Sequence, residues 1–150
     1  MNTELRKLKD EFLMYLYEIS KMKMVGYIAN FIQGEDALML RLFLNGPMTP
    51  KELSEELKVT KGRVTAIINK LKNKKYVDVK TNDEDRRSVT INLSNLGREY
   101  FQGKLDIADN YFDNVFSVLG LDNSKNLVMQ IENLLTKVKE ANIWKKWLNL

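Results

Sequence analysis

Cysteine and histidine are both absent from the chain, and that pair of absences removes a large part of protein chemistry. Without cysteine there is no disulfide framework, no thiolate nucleophile and no thiol redox sensor. Without histidine there is no imidazole general base, and the two absences together rule out a Cys/His zinc site. Catalysis would have to run on carboxylates, lysines and hydroxyls alone, so an enzyme is disfavoured and no cofactor or metal is expected. No apolar run approaches the ~20 residues that cross a bilayer, so no membrane partner is expected. The first dozen residues carry Glu4, Arg6, Lys7, Lys9, Asp10 and Glu11. They do not read as a secretory leader, and the expected location is cytoplasmic. What is present is ordinary for a soluble chain: 150 residues, 44% hydrophobic and 29% charged, enough for a single domain (1–150) with a real core.

The formal net charge of +4 is unevenly spread. Residues 1–48 carry six basic and six acidic side chains, and residues 93–150 carry seven of each. Residues 49–92 carry eleven basic against seven acidic, so the whole excess sits in the middle. From Thr60 to Lys75 there are six cations (Lys61, Arg63, Lys70, Lys72, Lys74 and Lys75) and no acid. A basic block between neutral flanks is the footprint of a polyanion-binding face. A solvated lysine-rich helix gives the same composition, so local structure has to decide.

Apolar residues at Leu5, Leu8, Phe12, Leu16 and Ile19 step by three or four and predict a long amphipathic N-terminal helix, with Tyr15, Tyr17, Met22 and Met24 widening its stripe. A short helix is predicted from Glu35 to Leu44, with Leu38, Leu42 and Phe43 inward. Asn45-Gly46-Pro47 stops it. Thr49-Pro50-Lys51-Glu52 then gives a capping threonine, a proline at the first helical position and a glutamate placed for a capping box. Leu53 and Leu57 supply the buried side of that two-turn helix. Lys58-Val59 leaves room only for a tight turn before Thr60, a second N-cap, opens a helix with Val64, Ile67, Ile68 and Leu71 inward. Two helices joined this closely form a helix-turn-helix.

At Tyr76 the period changes to two. Val77 and Val79 alternate with Asp78 and Lys80, residues 82–85 supply a turn, and Val89, Ile91 and Leu93 alternate on the return, which predicts a β-hairpin. A helix-turn-helix followed by a hairpin is a winged helix. Ser94 caps a long helix carrying Phe101, Leu105, Ala108, Phe112, Val115 and Leu119. Gly120 ends it, and Leu127, Ile131, Leu134, Leu135 and Val138 continue the spacing beyond. The fold expected is mostly α with a small β-hairpin: a winged helix-turn-helix lobe at 35–93 between helical dimerisation regions at 1–32 and 94–150.

The segment Thr60-Lys61-Gly62-Arg63-Val64-Thr65 suits the start of a major-groove helix. Arg63 can make a bidentate contact to guanine, Thr65 can meet a phosphate or a thymine methyl, and Gly62 lets the backbone approach. Lys70, Lys72, Lys74 and Lys75 suit phosphate neutralisation rather than base reading. Thr49, at the start of the preceding helix, and Asn69, on the exposed side of this one, complete the candidate DNA-facing set on the two helices. At the hairpin tip Arg86 and Arg87 follow Asp85. One guanidinium suits a narrow minor groove, and the other can pair with Asp85 or Asp83. A surface turn with local ion pairs is the alternative.

Taken together, Glu52-Leu53, Leu57-x-Val59-Thr60-x-Gly62-x-Val64-Thr65, Ile68-x-x-Leu71, Asp85-Arg86-Arg87 and Leu93-Ser94-x-x-Gly97-Arg98 resemble the MarR (multiple-antibiotic-resistance regulator) family over residues 35–100. The resemblance implies a dimeric winged-helix transcription factor whose first and last helices interlock between subunits. It also implies a ligand crevice between the dimer and DNA-binding lobes, a major-groove helix opening at Thr60 to Thr65, and a wing arginine motif at Arg86–Arg87. The sequence departs from the family pattern at Lys75, where members usually have glycine. Either the helix ends differently here or a lysine takes positive φ.

The expected partners are double-stranded DNA and a second copy of the chain. Phe12, Phe101, Phe112, Phe116, Trp144 and Trp147 exceed what one small lobe can bury. A helical layer packed on its own subunit is the alternative. Tyr15, Met22, Tyr27, Phe31 and Met39 are candidates for contact with a small apolar or aromatic effector, though core packing explains soft and aromatic residues equally well. The expected activity is that of a regulator, a repressor by family analogy, on a palindromic operator. A protein-interaction or non-specific architectural module is the competing reading. A metal-assisted site at Asp83, Glu84 and Asp85 is disfavoured by the adjacent arginines.

Overall fold

The computed structural model describes residues 2–81 and 89–143. Two compact units divide the chain, Met1–Ala108 and Asp109–Leu150. In order, the elements are α1 (Thr3–Ser20), α2 (Lys23–Ala29), a 3-10 turn (Asn30–Ile32), α3 (Gly34–Asn45), α4 (Pro50–Leu57), α5 (Lys61–Asn73), β1 (Val77–Thr81), β2 (Val89–Leu93) and α6 (Asn95–Glu140). Helix α6 is broken at Gly120, whose φ of 73° lies outside the helical region, so the stop expected at that glycine is present. The wing tip with Asp85, Arg86 and Arg87, and the C-terminal tryptophans, lie outside the described residues.

The core of the first unit is the inward face of the winged helix. Leu38, Met39 and Leu42 of α3, Leu53 of α4, and Val64, Ile67, Ile68 and Leu71 of α5 pack with Val77, Ile91, Leu93 and Phe101. Strands β1 and β2 pair antiparallel with Val77 opposite Leu93 and Thr81 opposite Val89. Met48 adds a third short pairing to Ile91, with two backbone hydrogen bonds of 2.9 and 2.8 Å. That pairing ties the α3–α4 connection to the hairpin.

Two details differ from the sequence expectation. The first helix ends at Ser20 instead of running through Met24, and residues 23–32 form α2 and the 3-10 turn. Met24, Tyr27, Ile28 and Phe31 keep the helical spacing past Ser20, so periodicity alone does not mark the break between the two helices. Helix α1 buries none of its side chains in this chain. Leu5, Leu8, Phe12, Leu16 and Ile19 stay between 44% and 55% exposed. In the second unit Leu127, Ile131, Leu134 and Leu135 are likewise exposed.

Candidate nucleic-acid interface

Helix α4 starts with both halves of a capping box. The Thr49 hydroxyl accepts from the Glu52 N–H at 3.2 Å, and the Glu52 carboxylate accepts from the Thr49 N–H at 2.7 Å. The carboxylate also accepts from the Thr49 hydroxyl at 2.9 Å, and the bonds it receives, first from the Thr49 backbone N–H and then from this hydroxyl, hold the Glu52 pKa below the usual carboxylate value. The helix closes on Lys58 at φ 52°. The Val59 N–H reaches the Ser54 carbonyl and the Lys58 N–H reaches that of Glu55. This is a Schellman cap with lysine in the position that favours glycine.

Helix α5 begins at Thr60, whose hydroxyl accepts from the Arg63 N–H at 3.3 Å. Val64, Ile67, Ile68 and Leu71 are buried, while Lys61, Gly62, Arg63, Thr65, Asn69, Lys70 and Lys72 are all exposed. The helix thus separates its two tasks by face. Among the described residues, Lys61, Arg63, Lys70 and Lys72 have no acidic partner within salt-bridge distance. Arg63 and Lys70 line one open cleft of about 300 Å³ with Ala66 and Ile67 of α5 and with Gly34 and Glu35. The Thr65 hydroxyl donates to the Lys61 carbonyl at 3.0 Å, which leaves its methyl and an oxygen lone pair for a contact. Nothing lies within 4 Å of where a Gly62 Cβ would stand, so that part of the helix is open to close approach.

The C-terminus of α5 resolves the alternatives left at Lys75. It adopts φ 61°, its N–H donates to the Lys72 carbonyl at 2.9 Å, and the Tyr76 N–H donates to that of Leu71 at 2.9 Å. This second Schellman cap keeps the glycine conformation with a lysine. Lys74 differs from the other cations of the block. Its ammonium is held by Glu35, and that hydrogen bond raises its pKa against a small opposing effect of burial.

The Leu93-Ser94-x-x-Gly97 motif has a physical reason here. The Ser94 hydroxyl accepts from the Gly97 N–H at 2.9 Å while donating to the Lys75 carbonyl at 2.6 Å, and the Ser94 N–H donates to the Tyr76 carbonyl at 3.0 Å. One serine therefore caps α6 and ties it to the end of α5. Gly97 is packed so tightly against Tyr76 that a Cβ would stand 1.9 Å from its carbonyl oxygen.

The five candidate effector residues are not gathered together. Met39 is fully buried in the core. Tyr27 and Phe31 are half-buried, stacked edge-to-face with each other, and Phe31 does the same against Phe101. The Tyr27 hydroxyl donates to the Lys104 carbonyl at 3.0 Å. Tyr15 and Met22 are exposed. A polar cluster that the sequence did not reveal lies nearby: Glu35 with Lys74, and Asp36 with Lys104. Its partners are 39 and 68 residues apart, beyond the reach of any spacing rule.

Among the described residues, no helix is long and apolar enough to cross a membrane. Residues 32–88 match the profile of the MarR family. The HTH-type transcriptional regulator SarZ of Staphylococcus epidermidis is 30% identical over 87 residues, which is 58% of this chain and 57% of that relative. The matched stretch thus spans little more than half the relative's length. Among solved structures, the YusO protein from Bacillus subtilis superposes with a TM-score of 0.67 at 18% identity, covering 94% of this chain and 99% of that one. A mutant of MepR from S. aureus bound to an oligodeoxyribonucleotide gives a TM-score of 0.63 at 15% identity, covering 87% and 97%. Those structural likenesses establish the winged-helix fold, and the matched relative is a regulator rather than an enzyme. The likeness to the MarR family is thus carried by residues 32–88, the segment that holds the helix-turn-helix and the first hairpin strand.

Proposed function

We propose that the protein is a sequence-specific DNA-binding regulator of transcription, a repressor by analogy with the MarR family, that works as a homodimer on a palindromic operator. The observation that carries the reading is the exposed face of α5. Lys61, Arg63, Lys70 and Lys72 share it with small and polar groups and without acidic partners among the described residues, above a fully buried opposite face. In this reading Arg63 reads a base edge, with Thr65 and Asn69 beside it, and Gly62 permits the approach. Thr49, Thr60, Lys61, Lys70 and Lys72 serve the phosphates. Asp85, Arg86 and Arg87 complete the interface as a wing in the minor groove.

The dimer is supported by the apolar residues left exposed on α1 and in residues 109–143. A helix with apolar residues on more than one side is normally covered, and a second copy covers both by two-fold symmetry. The two reading helices would then stand about 34–36 Å apart, one turn of DNA. A small apolar or aromatic effector would meet Tyr27 and Phe31, the members of its candidate set that touch each other and stay accessible, and would act by shifting that spacing.

The test is fluorescence anisotropy at near-physiological salt, with a duplex from unbiased selection beside a scrambled one. The expected preference is about 10³ or more. Arg63→Ala should relax base preference at one position per half-site. Equal weakening on every sequence would make Arg63 a phosphate contact instead, and equal binding of both duplexes by the wild type would favour an architectural role.

A further inference from the structure

Gly34 opens α3 at φ 68°, and nothing lies within 4 Å of where its Cβ would stand. The turn therefore requires glycine for its backbone rather than for space. Two consecutive carboxylates follow at the first turn of α3, and their side chains go separate ways. Glu35 accepts from the ammonium of Lys74, the C-cap of α5, and Asp36 accepts from that of Lys104 in the first part of α6. The Lys104 ammonium also lies 5.3 Å from the centre of the Tyr100 ring. Tyr100 stacks on Tyr76 at 4.4 Å and 14°, and Tyr76 closes the cap of α5 through its N–H. Glu35, Asp36, Lys74, Lys104 and Tyr100 line one cleft of about 290 Å³. Three helices thus meet around one cleft: Glu35 ties α3 to the end of α5, Asp36 ties α3 to α6, and the Tyr100–Tyr76 stack ties α6 to the residue that closes α5.

Acids in the first turn of a helix are common, because the macrodipole favours them there. That explains the residue type but not the direction each side chain takes. The two arms also differ in kind. Glu35 and Lys74 are 27% and 53% exposed, the class of ion pair that contributes little to stability. Asp36 and Lys104 are only 15% and 23% exposed. Burial opposes the charge of Lys104, yet the hydrogen bond and charge of Asp36 still raise its pKa above the ordinary lysine value. Removing one partner of such a pair strands the other, a far larger effect than the net gain from the intact pair.

The geometry gives that end of α5 leverage over the other. The helix has 13 residues, so it is about 20 Å long, and a tilt of about 5° pivoting on its C-cap moves the Thr60–Arg63 end by nearly 2 Å. A recognition contact tolerates only about 0.5 Å of misplacement.

We infer that Glu35 and Asp36 are positioning residues: a divided carboxylate clasp that touches no DNA but fixes the C-terminal end of α5 against α3 and α6, so that base preference depends on it. The inference rests on the DNA-reading role proposed for α5. The test measures affinity for the selected and scrambled duplexes at fixed salt, with urea unfolding in parallel, for Asp36→Asn, Lys104→Met, their double variant, Lys104→Arg and the milder Glu35→Gln.

The two principal substitutions change the net charge in opposite directions. Surface charge alone would therefore raise affinity for both duplexes in Asp36→Asn, lower it in Lys104→Met, and leave the ratio between duplexes unchanged. The clasp instead requires both to lower that ratio by about tenfold, the double variant to lose no more than either single one, and Lys104→Arg to retain it. Glu35→Gln should lower it by about threefold, and it stands in if Lys104→Met does not fold. An unchanged ratio with lowered stability would reduce the cluster to a structural role and overturn the inference. A wild-type protein with no preference among duplexes would overturn the DNA reading itself, and the clasp with it.

Discussion

Gly97→Ala tests the joint between α5, the hairpin and α6. The added methyl would stand 1.9 Å from the Tyr76 carbonyl oxygen, 2.7 Å from its carbonyl carbon and 2.9 Å from its Cα. All three atoms are backbone, so no side chain can swing aside, and the two segments must part by about 1 Å. Forcing a methyl into a packed site costs about 1–3 kcal/mol. The Ser94 N–H bond to that same carbonyl, 3.0 Å long, is lost or stretched for about 1 kcal/mol more. Alanine gives back about 1 kcal/mol, because it is the better helix former. The net loss is therefore about 1–3 kcal/mol.

Gly103→Ala is the matched control. It lies in the same helix, it is exposed, and nothing lies within 4 Å of its would-be Cβ, so it should stabilise by about 0.5–1 kcal/mol. Propensity enters both variants equally, and their difference isolates the clash with its hydrogen bond at about 2–4 kcal/mol. Urea unfolding followed by circular dichroism, at one protomer concentration because association shifts apparent stability, measures that difference directly. Two variants agreeing to within about 0.5 kcal/mol would refute the close packing of Gly97 on Tyr76.

Lys75→Gly should do the opposite of a typical core substitution. It relieves a left-handed lysine, for about 1–2 kcal/mol, while adding backbone freedom to the unfolded chain. The net effect should be a gain of about 0.5–1 kcal/mol, seen as a higher urea midpoint. A lower midpoint would show that the Lys75 side chain itself holds the fold. For Glu52, the folded pKa lies below its ordinary value of 4.5. The stability it contributes is therefore present above that value and is lost as pH falls through the depressed one. Glu52→Gln should flatten the acid limb of the stability curve below about pH 5 relative to wild type, and parallel limbs would mean that the capping box is not formed in solution.

The winged helix was legible because its signals are local. Thr49-Pro50-Lys51-Glu52 specifies a capping box within four residues, and the helix period placed Val64, Ile67, Ile68 and Leu71 on the buried side, where all four lie. The hairpin followed from strict alternation across Val77–Thr81 and Val89–Leu93. What the sequence hid was non-local or carried no boundary signal. Helix α2 is seven residues long with no side chain to cap its start, and the spacing of Met24, Tyr27, Ile28 and Phe31 continues the helical period of α1, so nothing marked it as a separate helix. Met39 has the composition of a ligand contact and the position of a core residue, because soft apolar side chains serve both purposes. Glu35 and Asp36 looked like ordinary first-turn acids, and only the fold brings Lys74 and Lys104 to them.

The cation-rich face of α5 is hardest to explain by stability. Its inward residues already complete the core, and the helix is fastened at both ends by the Thr60 cap and the Lys75 turn. Its exposed lysines add nothing to either. Lys70 and Lys74 stand four residues apart, an arrangement of like charges that costs a few tenths of a kcal/mol. The fold relieves Lys74 through Glu35 and offers Lys61, Arg63, Lys70 and Lys72 no acid among the described residues. A partner from outside the chain can supply that relief. A phosphate backbone supplies anions along a line, and each one neutralised releases a counterion, so binding should weaken steeply as salt rises. A steep dependence of that kind would favour the DNA reading over the protein-interaction one.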